Sequence, residues 1–299
     1  MAARPVSSNP IDARPWSYYA LALLFMLYLM FLYGPMLVIY ILSFQGPEGG
    51  VTFPLVGTSL EWFRDIWRKG QMANIPASFS RSAALALVVS LLTVVMSVAG
   101  GLAFRRPFPG AGLVFYMVIA SLVMPSLLVG FGIGLGFQFL GLQPSLFTSA
   151  LGAQLTWTLP FGLLAMFAVV NRFNRAWEEA AIDLGASPFQ CLVHVTLPIL
   201  LPGILGLALS AFTLSYDEYA RTTLTIGSHN TLPLEIYALI SSATSPTLFA
   251  IGTLTTAVSI LMIVLAVVTV SRLHRIRQPT AIVPEPTDEL TSLAPRRPA

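Results

Sequence analysis

Long apolar runs alternate with short polar segments along this chain. The runs cover about residues 18–44, 82–104, 111–137, 146–170, 198–217 and 246–271. Each is close to the roughly 20 helical residues that cross a hydrocarbon core of about 30 Å. The pattern predicts an all-α, polytopic transmembrane bundle of about six spans over residues 18–277. A short segment at 1–17 precedes it, and the tail at 278–299 has a composition typical of disorder.

The positions of arginine and lysine predict the orientation, because positively charged loops stay on the cytoplasmic side. With both termini inside, the cytoplasmic segments hold most of these residues: Arg4, Arg14, Arg105, Arg106, Arg172, Arg175, Arg272, Arg275, Arg277, Arg296 and Arg297. The external loops hold Arg64, Arg68, Lys69, Arg81 and Arg221. We therefore expect both termini to be cytoplasmic.

Composition excludes an ordinary soluble domain. Hydrophobic residues make up 56% and charged residues 10% of the chain, against about 45–50% and about 25% in soluble proteins. The charges lie in short clusters, so a nucleic acid is not an expected partner. Cys191 is the only cysteine, so no intramolecular disulfide is possible.

Catalytic motifs of membrane-embedded enzymes are not evident. His194, His229 and His274 are scattered without the HExxH spacing, and no GxSxG turn occurs. No catalytic residue and no metal site is expected. A secondary transporter independent of ATP is a separate alternative, although the halves of the chain show no convincing internal repeat.

Several features within the apolar runs favour packing or membrane anchoring. The glycines at 130, 132, 134 and 136 have small-xxx-small spacing, which lets helix backbones approach closely. Pro35, Pro125 and Pro160 are expected to kink or break helices. The segment 59–68 has apolar residues at helical spacing and predicts a short amphipathic helix at the membrane interface.

The loop between the fourth and fifth runs predicts two short helices. Asn174 is a candidate cap for a helix whose first turns carry Glu178 and Glu179, where the helix dipole favours negative charge. Gly185 is placed to end it in a left-handed conformation. Ser187, Pro188 and Gln190 then form the signature of a second helix start with a capping box.

Two functions are open for this loop on physical grounds. Ala180 and Ala181 give the first helix a narrow, smooth side, and Glu179 gives it a charged group. Such an object can insert into a cleft of another protein, or it can be only a compact connector.

The loop resembles a known motif. Glu179-Ala180-Ala181, three residues, Gly185, nine residues and then Val195-Thr196-Leu197-Pro198 are similar to the EAA loop of binding-protein-dependent ABC importer permeases. That family usually has Ile where Val195 stands. The resemblance extends over most of the chain.

The resemblance implies a role for this loop in coupling to a cytoplasmic ATPase. The residues expected to serve it are Glu178, Glu179, Ala180, Ala181, Asp183, Gly185, Ala186, Leu197 and Pro198. It further implies ABC ATPase subunits, a second permease subunit and an external solute-binding protein as partners, in a bacterial-type inner (plasma) membrane. No cofactor is expected on this chain. The only lysine, Lys69, lies outside any P-loop motif, so ATP is expected to be used by a partner.

The substrate is suggested by two further segments. Leu214–Tyr219 and Thr231–Tyr237 resemble the spermidine/putrescine branch of these permeases, which implies a polyamine or similar small cation. Related branches for ferric iron, phosphonates or opine-like amino-acid derivatives remain alternatives.

A candidate substrate path follows the fifth run. Tyr216, Asp217 and Glu218 lie at its outer end, where carboxylates are costly and often functional. Alternatively, Arg221 neutralises either acid as an ion pair within one helical turn. The first external loop and Thr222–Ser245 are the surfaces on which we expect the binding protein to dock.

Overall fold

The apolar runs fold as helices in the computed structural model, which describes residues 15–67, 74–242 and 245–277. In chain order the helices are α1 (Trp16–Leu42), α2 (Glu61–Asp65), α3 (Ile75–Ala103), α4 (Ala111–Val123), α5 (Ser126–Phe139), α6 (Leu146–Asn171), α7 (Ala176–Asp183), α8 (Pro188–Tyr216), α9 (Leu232–Ser242) and α10 (Pro246–Arg277). No β-strand occurs within these described ranges. The predicted all-α fold is confirmed.

Five of the helices, α1, α3, α6, α8 and α10, are long and apolar enough to cross a membrane, judged over the described ranges. The pair α4 and α5 makes a sixth if it is counted as one span. The prediction of about six spans is therefore confirmed for this part of the chain.

The apolar run at 111–137 is broken at Pro125, one of the prolines that we expected to kink or break a helix. α4 and α5 are bent by 104° relative to each other. Met124 and Pro125 between them have extended backbone, with ψ of 131° and 126°. Proline disfavours the helical conformation in the residue before it and has no N–H for the helical ladder. Pro35 and Pro160, by contrast, lie inside helices that continue past them.

Some predicted segments lie outside the described residues. They are most of the N-terminal segment 1–17, part of the first loop at 68–73 and the tail at 278–299. Within the first loop, the predicted interfacial helix corresponds to α2, which is followed by a buried Ile66 and an exposed Trp67.

The chain forms two compact units. The first comprises residues up to Ser82 together with Ile226–Ser259, and the second comprises Ala83–Thr225 and the residues from Ile260 onward.

A fully buried glutamine organises the loop after α1 in the first unit. The Gln45 amide donates to the carbonyl oxygens of Gly50 (3.1 Å) and Thr52 (3.3 Å) and accepts the N–H of Val56 (2.9 Å). The Trp62 indole N–H donates to the Gln45 carbonyl oxygen at 2.7 Å. Buried polar groups are stable only when they are hydrogen-bonded, and this network folds the loop around one side chain.

The core of the second unit lies where α6 packs against α8. Met166 and Val170 of α6 and Leu200 and Leu207 of α8 are buried together. Between α3 and α6, Thr93 Oγ1 donates to Thr158 Oγ1 at 2.8 Å. These contacts hold the three long helices of this unit together.

Two of the four glycines of α5 permit close backbone approach. A Cβ atom on Gly130 would lie 2.8 Å from the Arg221 carbonyl oxygen, and one on Gly134 would lie 2.7 Å from that of Leu224. Around Gly132 and Gly136 there is open space. The interpretation that these glycines allow close helix packing therefore holds for Gly130 and Gly134, which face the segment after α8.

Candidate functional site

The helix α7 begins and ends on local signals. The Asn174 side-chain oxygen accepts the N–H of Ala176 at 3.0 Å, and this satisfies a free donor at the start of the helix. At the other end Gly185 has φ of 89°. The N–H of Gly185 donates to the Ile182 carbonyl (2.8 Å) and that of Ala186 to the Ala181 carbonyl (3.0 Å). This is a Schellman motif, and the predicted left-handed stop at Gly185 is confirmed.

The next helix starts as predicted but does not stop. The Ser187 side chain accepts the N–H of Gln190, the Gln190 side chain accepts the N–H of Ser187, and Pro188 occupies the first helical position. The helix then continues as α8 up to Tyr216. The predicted second short helix is present as Pro188–Cys191, but it continues through a π-helical turn into the fifth span and does not end before it.

Leu197 and Pro198 lie inside α8. A π-helical turn, Leu192–Thr196, precedes them. Pro198 has no N–H for the helical ladder, and a widened turn just before it accommodates that interruption.

Large apolar side chains on and beside α7 are exposed. Leu184 is 90% exposed, Phe189 72%, Trp177 61% and Ile182 53%. Glu179 and Asp183 are also exposed, and Ala180 lies among them. We call this set the α7 knob. Apart from Phe189 in the first turn of α8, it lies on or directly after the short charged helix α7. Exposed apolar patches of this kind mark protein contacts.

Sequence reasoning did not single out Trp177, Leu184 or Phe189. The sequence did hold a signal that could have identified them. Large apolar residues occur in a polar segment that is too short to bury them.

Glu178 is bound by side chains from outside α7. Its carboxylate accepts two hydrogen bonds from the Arg105 guanidinium, each of 2.7 Å, and a third from the Thr196 hydroxyl at 2.7 Å. The Arg105 guanidinium also lies over the Phe173 ring at 5.1 Å. The sequence grouped Glu178 with Glu179, but the structure gives the two acids different surroundings.

The hydrogen bonds from Arg105, and secondarily from Thr196, lower the pKa of Glu178 below its ordinary value of 4.5 despite partial burial. A carboxylate whose pKa is lower in the folded state stabilises the fold at a pH above its ordinary pKa. That stability is lost as the pH falls through the lowered, folded-state pKa. We expect Glu178→Gln to lower the free energy of unfolding at pH 7 by about 1–2 kcal/mol. This corresponds to a decrease of a few degrees in the melting temperature. The difference from the parent should vanish when the pH is lowered well below 4.5.

Thermal unfolding of the detergent-solubilised chain between pH 7 and pH 3 measures this, with Glu179→Gln as the matched control. A Glu178→Gln difference that is the same at every pH would contradict the interpretation.

The candidate substrate path begins where α8 ends. Tyr216 is buried and stacks on Phe212, with ring centroids 5.9 Å apart. Glu218 Oε2 lies 3.7 Å from the Arg221 guanidinium, and Glu218 Oε1 accepts the backbone N–H of Arg221 at 2.9 Å. Asp217 is exposed, and no ion pair joins it to another described residue. The alternative that Arg221 neutralises an acid as an ion pair therefore applies to Glu218. Asp217 is left as the carboxylate of this pair that can meet a solute.

Arg221 is buried deep in the second unit. Only 1% of it is exposed, its guanidinium donates to Ser126 Oγ at 2.8 Å, and it lies 5.1 Å from the centre of the Trp157 ring. The sequence placed Arg221 in an external loop, and its burial was not anticipated.

The segment after Arg221 is also largely buried. Gln154 Nε2 donates to Thr222 Oγ1 at 2.9 Å, and the Ser149 hydroxyl donates to the Thr225 carbonyl oxygen at 2.5 Å. Thr222 and Thr225 are fully buried. The sequence had suggested that Thr222–Ser245 is a docking surface for the binding protein, and these two residues are not part of one.

Comparison with known proteins identifies the class of molecule. Residues 96–281 match the family described as "Binding-protein-dependent transport system inner membrane component". The spermidine/putrescine transport system permease protein PotC of Escherichia coli K12 is 26% identical over 235 residues, which cover 78% of this chain and 87% of PotC. The putrescine transport system permease protein PotI of the same strain is 28% identical over 257 residues, which cover 83% of this chain and 88% of PotI.

Solved structures share the fold. A bacterial ABC transporter involved in import of the acidic polysaccharide alginate has a chain that aligns with a TM-score of 0.61 and 19% identity, covering 86% of this chain and 96% of that one. A chain of the inward-facing MetNI methionine ABC transporter aligns with a TM-score of 0.55 and 17% identity, covering 67% and 95%.

The family match spans more than half of the chain and includes the whole of α7 and α8. The chain therefore belongs to the inner membrane components of binding-protein-dependent transport systems, as a permease subunit of the ABC importer type.

Proposed function

We propose that this permease forms the solute path of an ATP-driven importer and is coupled to a separate ATPase through the α7 knob. The observation that carries the proposal is the exposure of Trp177 and Ile182 on the short helix α7, of Leu184 directly after it, and of Phe189 in the first turn of α8. Large exposed apolar side chains gain free energy when a partner covers them. Glu179 and Asp183 supply charge at the rim.

The distribution of arginine predicts that α7 faces the cytoplasm, where ATP is available. We propose two ATPase subunits as partners there, with ATP used by them and not by this chain. A second permease, either another copy or a homologous chain, would complete the path in the inner (plasma) membrane. An external solute-binding protein would deliver the substrate from the opposite side.

The proposed substrate is a polyamine or a similar small cation. Two relatives that are named for polyamine transport support this class. Asp217 is an exposed carboxylate at the end of α8, and such a group attracts a cationic solute. Ferric iron, phosphonates and opine-like amino-acid derivatives are the alternative substrates.

The proposal is tested by affinity purification of the tagged chain from native membranes in mild detergent, followed by mass spectrometry. We expect an ABC ATPase and a solute-binding protein to be retained, and the binding protein to shift its melting temperature with spermidine or putrescine. If no ATPase is retained, the loop is only a connector and an ATP-independent secondary transporter becomes the better explanation. If an ATPase is retained but neither polyamine binds, only the substrate proposal fails.

A further inference from the structure

We propose that Arg105 is a positioning residue that, through Glu178, fastens α7 to the end of α3 and to the first turns of α8, so that the three move together. The proposal rests on the proposed function, because it states how a displacement of α7 by an ATPase reaches the membrane helices. We call Arg105, Glu178 and Thr196 the α7 joint.

The first part of the joint is a two-point ion pair. Arg105 Nη1 and Nη2 each lie 2.7 Å from a different oxygen of Glu178, and the two side chains are only 16% and 22% exposed. A planar guanidinium that binds both carboxylate oxygens fixes orientation as well as distance. This geometry resists rotation of α7 relative to the loop that follows α3.

The second part connects the same carboxylate to α8. Thr196 is 1% exposed and donates to Glu178 Oε1 at 2.7 Å. It is the last residue of the π-helical turn Leu192–Thr196. A hydrogen bond to a charged group is stronger than one between neutral groups. Glu178 therefore joins two elements that are far apart in sequence.

Further contacts hold Arg105 itself in place. The Phe173 ring lies 5.1 Å below its guanidinium. The Arg175 guanidinium donates to the Arg105 carbonyl oxygen at 2.9 Å. Phe173 and Arg175 both lie in the short connection that leads into α7, so the loop after α3 is attached at the start of α7 as well as at Glu178.

The joint matters mechanically because α7 keeps its large apolar side chains outside. Trp177, Ile182 and Leu184 are more than half exposed, so they contribute little packing between α7 and the bundle. The connection at 172–175 and the Gly185 turn are non-helical hinges at the two ends of α7. Without the joint, a partner that pulls on the α7 knob would bend these hinges and would not displace α3 and α8.

The test uses the purified complex of this chain with its ATPase and compares Arg105→Ala, Glu178→Gln and the matched control Arg106→Ala. Hydrogen–deuterium exchange is measured with and without ATP and vanadate over residues 104–110, α7 and the first turns of α8. In the parent and in Arg106→Ala, exchange in all three segments should change together. In Arg105→Ala, the ATPase should be retained and the change at 104–110 should be reduced at least about fivefold, whereas α7 and the first turns of α8, which Glu178 and Thr196 still join, should keep changing together.

Glu178→Gln keeps the shape of the side chain and covers the case in which Arg105→Ala does not fold. The reversed pair Arg105→Glu with Glu178→Arg should restore at least about half of the linked response, which loss of a merely structural contact would not predict. An Arg105→Ala response equal to that of the parent overturns the joint, and so does loss of the ATPase from that variant. If the parent itself retains no ATPase, the proposed function fails instead.

Discussion

Leu184→Asp is expected to weaken binding of the chain to its ATPase about a hundredfold. Leu184 is 90% exposed at the end of α7, so it has no packing to lose in the isolated chain. Covering a leucine with a partner is worth about 1.5–3 kcal/mol, and placing a carboxylate in the same contact adds a desolvation cost. A loss of about 2.8 kcal/mol corresponds to a hundredfold change in affinity.

The measurement is the dissociation constant of the detergent-purified variant for the ATPase that co-purifies with the parent. Leu142→Asp is the matched control, because Leu142 is 51% exposed in the turn after α5, outside α7 and outside the surfaces on which we expect the binding protein to dock. We expect the melting temperature of both variants to stay within about 2 °C of the parent, since exposed positions contribute little to folding. Equal affinities for the two variants would show that α7 is not the docking element.

Gly130→Leu is expected to destabilise the chain by about 3 kcal/mol or more, whereas Gly132→Leu on the same helix should be close to neutral. A Cβ at residue 130 meets the backbone of Arg221, with the carbonyl oxygen at 2.8 Å and the Cα at 3.1 Å. Backbone atoms cannot rotate away as a side chain can, so the segment after α8 must move. The space beside Gly132 is open.

The cost at Gly130 is large because Arg221 moves with its backbone. Its guanidinium lies on Ser126 and Trp157 and beside Glu218, and a buried charge that loses its partners is strongly destabilising. The melting temperatures of the two variants in the same detergent measure the difference. Equal melting temperatures would mean that the close approach of α5 to this segment is not a structural requirement.

The elements that local signals determine were predictable. The left-handed Gly185, the capping box of Ser187 and Gln190, and the apolar helices depend on residues within a few positions of one another. The free energy of a cap or a turn is set by that short stretch, so the sequence alone was enough to identify them.

What escaped prediction depends on partners distant in sequence. Glu178 and Glu179 are identical neighbours, and what distinguishes them is that Arg105, 73 residues away, and Thr196 bind Glu178. The bend at Pro125 was expected as a kink, but its size of 104° is not encoded in one proline. Arg221 looked like an external arginine, and its burial follows from Ser126 and Trp157 on helices that no local pattern connects to it.

The most direct test of the central claim is uptake of radiolabelled spermidine and putrescine into proteoliposomes, with the purified permease, its co-purified ATPase and its solute-binding protein. The account predicts uptake that requires ATP and the ATPase together and that is lost with Leu184→Asp but retained with Leu142→Asp. Uptake by the permease alone, without ATPase or ATP, would contradict it.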